Sequence, residues 1–325
     1  METAPARHLG GIHHVTAIAG HPQENVDFYM GLLGMRLVKR SVNQDDPQTY
    51  HLFYADAVGS PGTDLTFFAW PGGPAGRRGA GQAVSVALAI PPGAVTYWAR
   101  RLTGAGIAVE GPVQRGTEDV LTFTDPHGLV LELVAGPDTG ARDPWVPWTA
   151  GPVPVEHAIR GIHRVTLAVA RWEATRAFLE SPLRFRLLEE GDGRLRFATG
   201  SGGSGAQVDV VRAAGWGRIA VGTVHHVAWR TPDDAAHQAW QRELHGLGVG
   251  VTPIIDRFWF RSIYFREPGG VLFEIATDGP GFAVDEAVER LGEHLVLPPW
   301  LEPERAQIEQ ALLPIRLPVP APGRA

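Results

Sequence analysis

The chain has 325 residues, of which 44% are hydrophobic and 20% charged, and its formal net charge is -6. This is the balance of a soluble globular protein, and without a basic excess nothing points to nucleic acid or an anionic membrane surface, which leaves small-molecule chemistry. There is no cysteine, which excludes disulfides, thiolate metal sites and a cysteine nucleophile, so any metal ligands must be His, Asp or Glu.

The opening METAPARHLGGIHHV lacks the basic and apolar regions of a secretory signal. No apolar run reaches the roughly 18 residues of a membrane span, and the expectation is a cytoplasmic protein. A first strand, Gly11-Ile12-His13-His14-Val15-Thr16-Ala17-Ile18, precedes a helix-like stretch, FYMGLLGMRLV, from Phe28. Ala83 to Ile90 predicts another opening strand, Val95 to Gly106 an amphipathic helix, and Thr124-Asp125-Pro126-His127-Gly128 a turn feeding a buried strand that carries Glu132. Pro137 to Glu156 has a linker's composition.

The pattern then repeats. Gly161-Ile162-His163-Arg164-Val165-Thr166 echoes the first strand, AFLESPLRFRLL from Ala177 echoes the helix-like stretch, and Arg266-Glu267-Pro268-Gly269-Gly270 before Glu274 echoes the turn. Between them, Thr223 to Trp229 reads as a strand and Ala235 to Gly248 as a helix. The expected architecture is α+β, four βαβββ modules at about 11–70, 82–136, 160–212 and 223–277, paired into two cupped sheets of which one holds a metal. Residues 1–150 form an N-terminal half, 151–279 a C-terminal half, and 280–325 a Pro-rich tail with a helix near Glu302 to Leu313, strapped over the body by Trp300 and Leu301.

Two opening strands carry a His pair, His13-His14 and His225-His226. The strand period of two turns one member of each pair inward. Glu274 lies late in the fourth module, where a curved sheet can set it beside His226. If the first module pairs with the fourth, His14 completes a site of two imidazoles and one carboxylate. Such a triad leaves positions open for substrate and dioxygen and favours Fe(II), with Mn(II) as the alternative, although zinc hydrolases also use two His and one Glu. A lone strand histidine is more often a core or surface group than a ligand, but here two pairs and a carboxylate coincide. The other two modules present Val84-Ser85-Val86 and His163-Arg164-Val165 instead, so Glu132 and His163 read as structural.

These residues resemble the vicinal-oxygen-chelate superfamily, which includes glyoxalase I, extradiol dioxygenases and fosfomycin-resistance proteins. Within it, LVKRSVNQDDPQTYHLFYADAVGSPGTDLTFF from Leu37, EHAIRGIH from Glu156, DRFWFRSIYFREPGG from Asp256 and LPPWLEP from Leu297 look like the ring-cleaving dioxygenases of hydroquinones. The resemblance implies Fe(II) on His14, His226 and Glu274, supporting catalytic roles for Thr16, His225, Arg257 and Tyr264, and a small aromatic substrate with O2 as partners. It implies neither nucleic acid nor membrane and leaves a homo-oligomer open. Phe258, Trp259 and Phe260 fit either a ring-binding wall or core, while Asn43, Asp45, Asp46 and His51 receive no ligand role and Asp45-Asp46-Pro47 reads as a turn. An extradiol catechol dioxygenase is one alternative. A glyoxalase-type isomerase or lyase is another, but it needs a fourth ligand near Thr66 or Phe67, where no carboxylate stands.

Overall fold

A computed structural model describes residues 7–139 and 145–318; positions 140–144 of the expected linker and 319–325 of the expected tail lie outside the described residues. The first module comprises β1 (Ile12–Ala19), α1 (Pro22–Val26, continued by a π-helical turn over Asp27–Leu32), β2 (Arg36–Asn43), β3 (Asp46–Ala55) and β4 (Asp64–Ala69). The second has β5 (Gln82–Ile90), α2 (Val95–Gly104), β6 (Glu110–Arg115), β7 (Glu118–Thr124) and β8 (Val130–Ala135). In the third, β9 (Gly161–Val169) and α3 (Trp172–Glu180) lead to β10 (Arg186–Gly191), β11 (Arg194–Ala198) and β12 (Gln207–Arg212). The fourth has β13 (Val224–Thr231), α4 (Asp234–Gly246), β14 (Ile255–Asp256), β15 (Arg261–Arg266) and β16 (Leu272–Thr277), and the tail adds a short helix α5 (Arg305–Ala311).

The βαβββ order predicted from the repeats is therefore present four times. Helices α2 and α4 end two residues earlier than their apolar spacing predicts, because left-handed glycines follow, Gly106 at φ +80° and Gly248 at φ +76°. The turn expected over Asp45-Asp46-Pro47 sits one residue earlier, at Gln44-Asp45, and Asp46 already opens β3. Among the described residues no helix is long and apolar enough to cross a membrane.

Two eight-stranded sheets result, in the orders β14-β15-β16-β13-β1-β4-β3-β2 and β10-β11-β12-β9-β5-β8-β7-β6. The first module thus joins the fourth through antiparallel β1 and β13, and the second joins the third through β5 and β9. Stitches between the sheets explain the repeated Gly-Ile. The Ile12 amide donates to Gly205 O at 2.7 Å and the Ile162 amide to Gly62 O at 3.0 Å, while Gly11 and Gly161 adopt φ of +117° and +118°. A Cβ on Gly11 would stand 2.7 Å from Gly205 O, so glycine is required there for both conformation and space.

The second echo also has a structural cause. Asp125 accepts the amides of His127 and Leu129, and Glu267 accepts those of Gly269 and Val271, closing the turns that feed β8 and β16. Each carboxylate also accepts a hydroxyl from the helix region of the preceding module, Tyr29 at 3.0 Å on the second oxygen of Asp125 and Thr175 at 2.7 Å on Glu267. One apolar core cluster contains residues of all four modules, from Val15 and Leu88 to Leu167 and Ile275. The tail crosses the first sheet, where Leu301 is buried with Val42, Leu297 and Ile308, and the half-exposed Trp300 meets Phe258 edge-on.

Candidate metal centre

The centre is built at the seam between β1 and β13. Pairing along this seam runs from Ile12 to His14 with a shift that skips His13, and from His226 to Val224 with a shift that skips His225. Each His pair therefore lies at a β-bulge, which re-aims side chains. This corrects the expectation drawn from ideal alternation: His13 is as buried as His14, and both members of each pair serve one place. His13 Nδ1 lies 2.8 Å from His14 Nδ1, and His225 Nδ1 lies 2.8 Å from His226 Nδ1. The opposite ring nitrogens converge, with His14 Nε2 at 3.2 Å from His226 Nε2.

Glu274, on β16 beside β13, completes the group: its Oε2 is 2.9 Å from His226 Nε2 and 3.3 Å from His14 Nε2. Among the described residues, this is the one group of His and carboxylate side chains whose ligand atoms gather closely enough for a metal. Ser262 donates to Glu274 Oε1, whereas Oε2 is buried without a hydrogen-bond partner. Three acceptor atoms facing one another repel unless a cation or protons lie between them. Ligand bonds of about 2.1 Å would separate the donors by about 3.0 Å at right angles and about 3.4 Å at tetrahedral angles. The observed sides of 2.9, 3.2 and 3.3 Å lie close to that range and suit Fe(II), Mn(II) or zinc.

Electrostatics favour the ligand-competent forms. Burial lowers the pKa of His226, and it drives His13 and His225 to about 3, the neighbouring His14 and His226 adding to the effect. Burial alone would raise Glu274, but the adjoining His14 and His226 outweigh it and hold the carboxyl well below its usual range. The site thus presents an anionic carboxylate beside neutral imidazole at His226.

Register also identifies the fourth position. Ala228 is opposite Glu274 and Thr16 is opposite Thr66 in the two parallel pairs. Thr16 and Ala228 each follow a converging histidine by two residues, so Thr66, not Phe67, is the counterpart of Glu274. It is no carboxylate: its hydroxyl bonds Thr16 Oγ1 at 2.7 Å and His51 Nε2 at 2.9 Å. The same register in the other sheet puts Arg164 at the His14 position, Ser85 at the His226 position, and Glu132 and Asp209 at the carboxylate positions. There the fully buried Arg164 donates to Glu118 at 2.6 Å and lies 3.4 Å from Asp209, while Glu132 pairs with Arg115 at 2.6 Å. His163 bonds Glu118 at 2.7 Å. A guanidinium supplies the positive charge in that cup.

A cavity of about 30 Å³ opens onto the converging histidines, walled by Phe53, Phe68, Trp259 and Phe260. Arg257 and Tyr264 line it, with Arg257 Nε 3.3 Å from Tyr264 Oη. Burial and the nearby Glu274 raise the Tyr264 pKa, so its hydroxyl keeps its proton. Thr16 and His225 stand behind the wall. Phe258, whose backbone takes φ +73°, packs towards Trp259 and Trp300 instead of lining the cavity.

Sequence reasoning missed four contributors: His13, His51, Thr66 and Asp45. His51 lines the cavity, with its ring 3.9 Å from that of Phe53, and burial pushes its pKa well down. Asp45 holds Arg257 through both carboxylate oxygens, at 3.2 and 2.9 Å. Alternation along β3 puts His51 and Phe53 on one face, a signal that acquires meaning only once β3 is known to lie beside β4.

Comparison with known proteins agrees with this geometry. The Glyoxalase/Bleomycin resistance protein/Dioxygenase superfamily matches residues 11–133 and 161–275. MhqO of Bacillus subtilis strain 168, provisionally named a ring-cleaving dioxygenase, is 45% identical over 314 residues, covering 96% of this chain and 98% of that protein. The chlorohydroquinone/hydroquinone 1,2-dioxygenase of Sphingobium indicum is 34% identical over 313 residues, with 93% and 95% covered. A crystal structure of a provisionally assigned Bacillus subtilis dioxygenase superposes with a TM-score of 0.90 at 44% identity, covering 96% of this chain and 99% of that one. The chain belongs to the glyoxalase/bleomycin resistance/dioxygenase superfamily, and its relatives there are named ring-cleaving dioxygenases.

Proposed function

We propose that this protein is an Fe(II)-dependent ring-cleaving dioxygenase acting on a hydroquinone-type dihydroxyarene, with Mn(II) as the alternative metal. The observation that carries the reading is the three-donor set of His14, His226 and Glu274 with Thr66 at the register position of a fourth ligand. Two imidazoles and one carboxylate leave coordination positions free, as oxygenase chemistry with substrate and O2 requires. A glyoxalase-type isomerase would need a carboxylate where Thr66 stands. The names of the relatives support the substrate class. When bound, the metal supplies the electron transfer that makes O2 reactive toward an aromatic ring.

The protein's own groups prepare the substrate. Because Nε2 of each ligand histidine must offer a lone pair, its proton sits on Nδ1 and donates to His13 or His225. Those two neighbours act through the ligands by fixing ring orientation. Tyr264, whose oxygen accepts from Arg257, keeps its own O–H to offer a phenolic oxygen. The Arg257 guanidinium is set to stabilise negative charge as the phenol loses its proton. Thr16 holds Thr66 and, through it, His51. The aromatic walls select a flat ring and exclude water. Overall, both oxygen atoms enter the product, the bond between a hydroxylated carbon and its neighbour breaks, and those carbons leave as a carboxylic acid and an aldehyde.

The test is oxygen uptake by Fe(II)-reconstituted protein with hydroquinone, with catechol, and with glutathione plus methylglyoxal, using His226→Ala as control. Stoichiometric uptake with hydroquinone that vanishes in the variant is expected. Preference for catechol would move the substrate within the class, and thioester formation without oxygen uptake would sink the dioxygenase reading.

A further inference from the structure

The mouth of the cavity is spanned by contacts that no role assigned above uses. The tip of the β2–β3 hairpin, Gln44-Asp45, faces the loop between β14 and β15. Asp45 grips both terminal nitrogens of Arg257, at 3.2 and 2.9 Å, and Gln44 Nε2 donates to Arg257 O at 2.9 Å. On its own loop, the Arg257 amide bonds Phe260 O at 2.9 Å, and Asp256 accepts the Phe258 amide at 2.8 Å. The remaining guanidinium nitrogen, Nε, is the one on Tyr264 Oη. While Asp45 holds two of its three nitrogens, the guanidinium plane stays on the tyrosine.

The space at the histidines is small, about 30 Å³, and a six-membered ring with two oxygens enters more easily if one wall yields. Phe53 and Phe68 are held by the ladders of β3 and β4, and Trp259 and Phe260 are buried on the loop after β14. The hairpin tip is instead held by an ion pair whose carboxylate side chain is 72% exposed, and such pairs open readily. The tip is the wall that yields.

We infer that Asp45 is a positioning residue and the latch of the cavity: paired with Arg257 it closes the mouth and presents the guanidinium to Tyr264, and the pair opens to admit the aromatic ring. The inference rests on the proposed function for the ring that enters, but closure itself can be tested without turnover.

His51 is inside the cavity and is not one of the converging ligands, so its reaction with diethyl pyrocarbonate, followed by peptide mass mapping of the full-length protein, reports opening. His245, exposed on α4, is the internal reference. Asp45→Ala should label His51 about two- to fivefold faster than the parent, the range an exposed ion pair supports. Asp45→Glu should return to the parent rate, and Gln44→Ala should fall between. Raising salt should accelerate labelling in the parent and leave Asp45→Ala unchanged, since salt screens only a pair that exists. Equal His51 rates in the parent and Asp45→Ala, or an undiminished salt effect in the variant, would overturn the latch. Oxygen uptake is a separate arm. In a parent active with hydroquinone, Asp45→Ala should lower kcat severalfold and Asp45→Glu should restore it, and an unchanged kcat would overturn the positioning role. A parent inactive with every phenol would refute the dioxygenase reading while the labelling result stands.

Discussion

Replacing Lys39 with Met tests how the tail is fastened. Lys39 lies on β2 with a fully buried side chain, and its ammonium reaches Asp285 at 2.7 Å, Glu286 at 2.5 Å and Phe282 O at 3.1 Å. Both carboxylates are themselves largely buried, at 12% and 9% side-chain exposure. Removing the cation strands two acidic groups, and breaking a buried pair costs about 3–5 kcal/mol. Asp285 keeps a bond from Trp259 Nε1 at 3.0 Å, and the tail can lift to rehydrate both groups, which places the expectation at about 3 kcal/mol. A chain of this size loses about 0.7 kcal/mol per degree at its midpoint, so thermal unfolding should shift down by about 4 °C. Trp259 walls the cavity and Phe260 packs 5.2 Å from both His13 and His14, so the variant should also label His51 faster. Melting followed by circular dichroism is the assay, with the triple variant Lys39→Met, Asp285→Asn, Glu286→Gln as control. A shift under about 1 °C, or a triple variant less stable than the single one, would refute the reasoning, because neutralising all three groups removes the stranded charge.

Three other outcomes follow from the same structure. Glu274→Gln should fold normally yet weaken Mn(II) binding, measured by equilibrium dialysis, by more than the roughly 10–100-fold of an outer-shell change; retained affinity would mean the metal binds elsewhere. His225→Ala should fall within that 10–100-fold window, and parent-like affinity would show that His226 needs no support on Nδ1. In the other cup, burial pushes Glu118 upward, but the bond from His163 and the charge of Arg164 outweigh it and bring the carboxyl to about 2 from an ordinary 4.5. Its folded value is the lower one, so its stabilisation is present above about pH 4.5 and fades as pH falls through 2. Full burial would make this about 3 kcal/mol, and partial opening to the cleft reduces it to about 2. The stability difference between parent and Glu118→Gln in urea melts should therefore shrink as pH drops below 4.5; a difference independent of pH would show that the ion pair contributes nothing.

What could be read from the sequence was whatever local chemistry demands. Gly11 and Gly161 recur because a left-handed conformation and a neighbouring carbonyl leave no alternative, and the Asp125 and Glu267 turns recur because a carboxylate must collect backbone amides. The His pairs and Glu274 were legible because paired imidazoles recur at equivalent strand starts in a chain that has no cysteine to serve as ligand. Other contributors depended on register. His13 appeared to face away until the bulge was visible, and Asp45 had no visible partner because Arg257 is 212 residues distant. Thr66 and Phe67 could not be told apart until β1 lay beside β4. Arg164 looked like the failure of a motif, when it is the residue at the position of His14.

That substitution bears on how the protein withstands shortage. One cup has the three donors of a metal site, whose ion solution conditions could withhold; the other carries its cation on a covalently attached guanidinium. Since a single core cluster threads all four modules, the scaffold is tied to the half that no chelator can empty. In this it differs from small domains that unfold when their zinc leaves. On the proposed function, loss of that ion would silence the chemistry while sparing the fold, and the chain would be recharged by the metal without renewed synthesis.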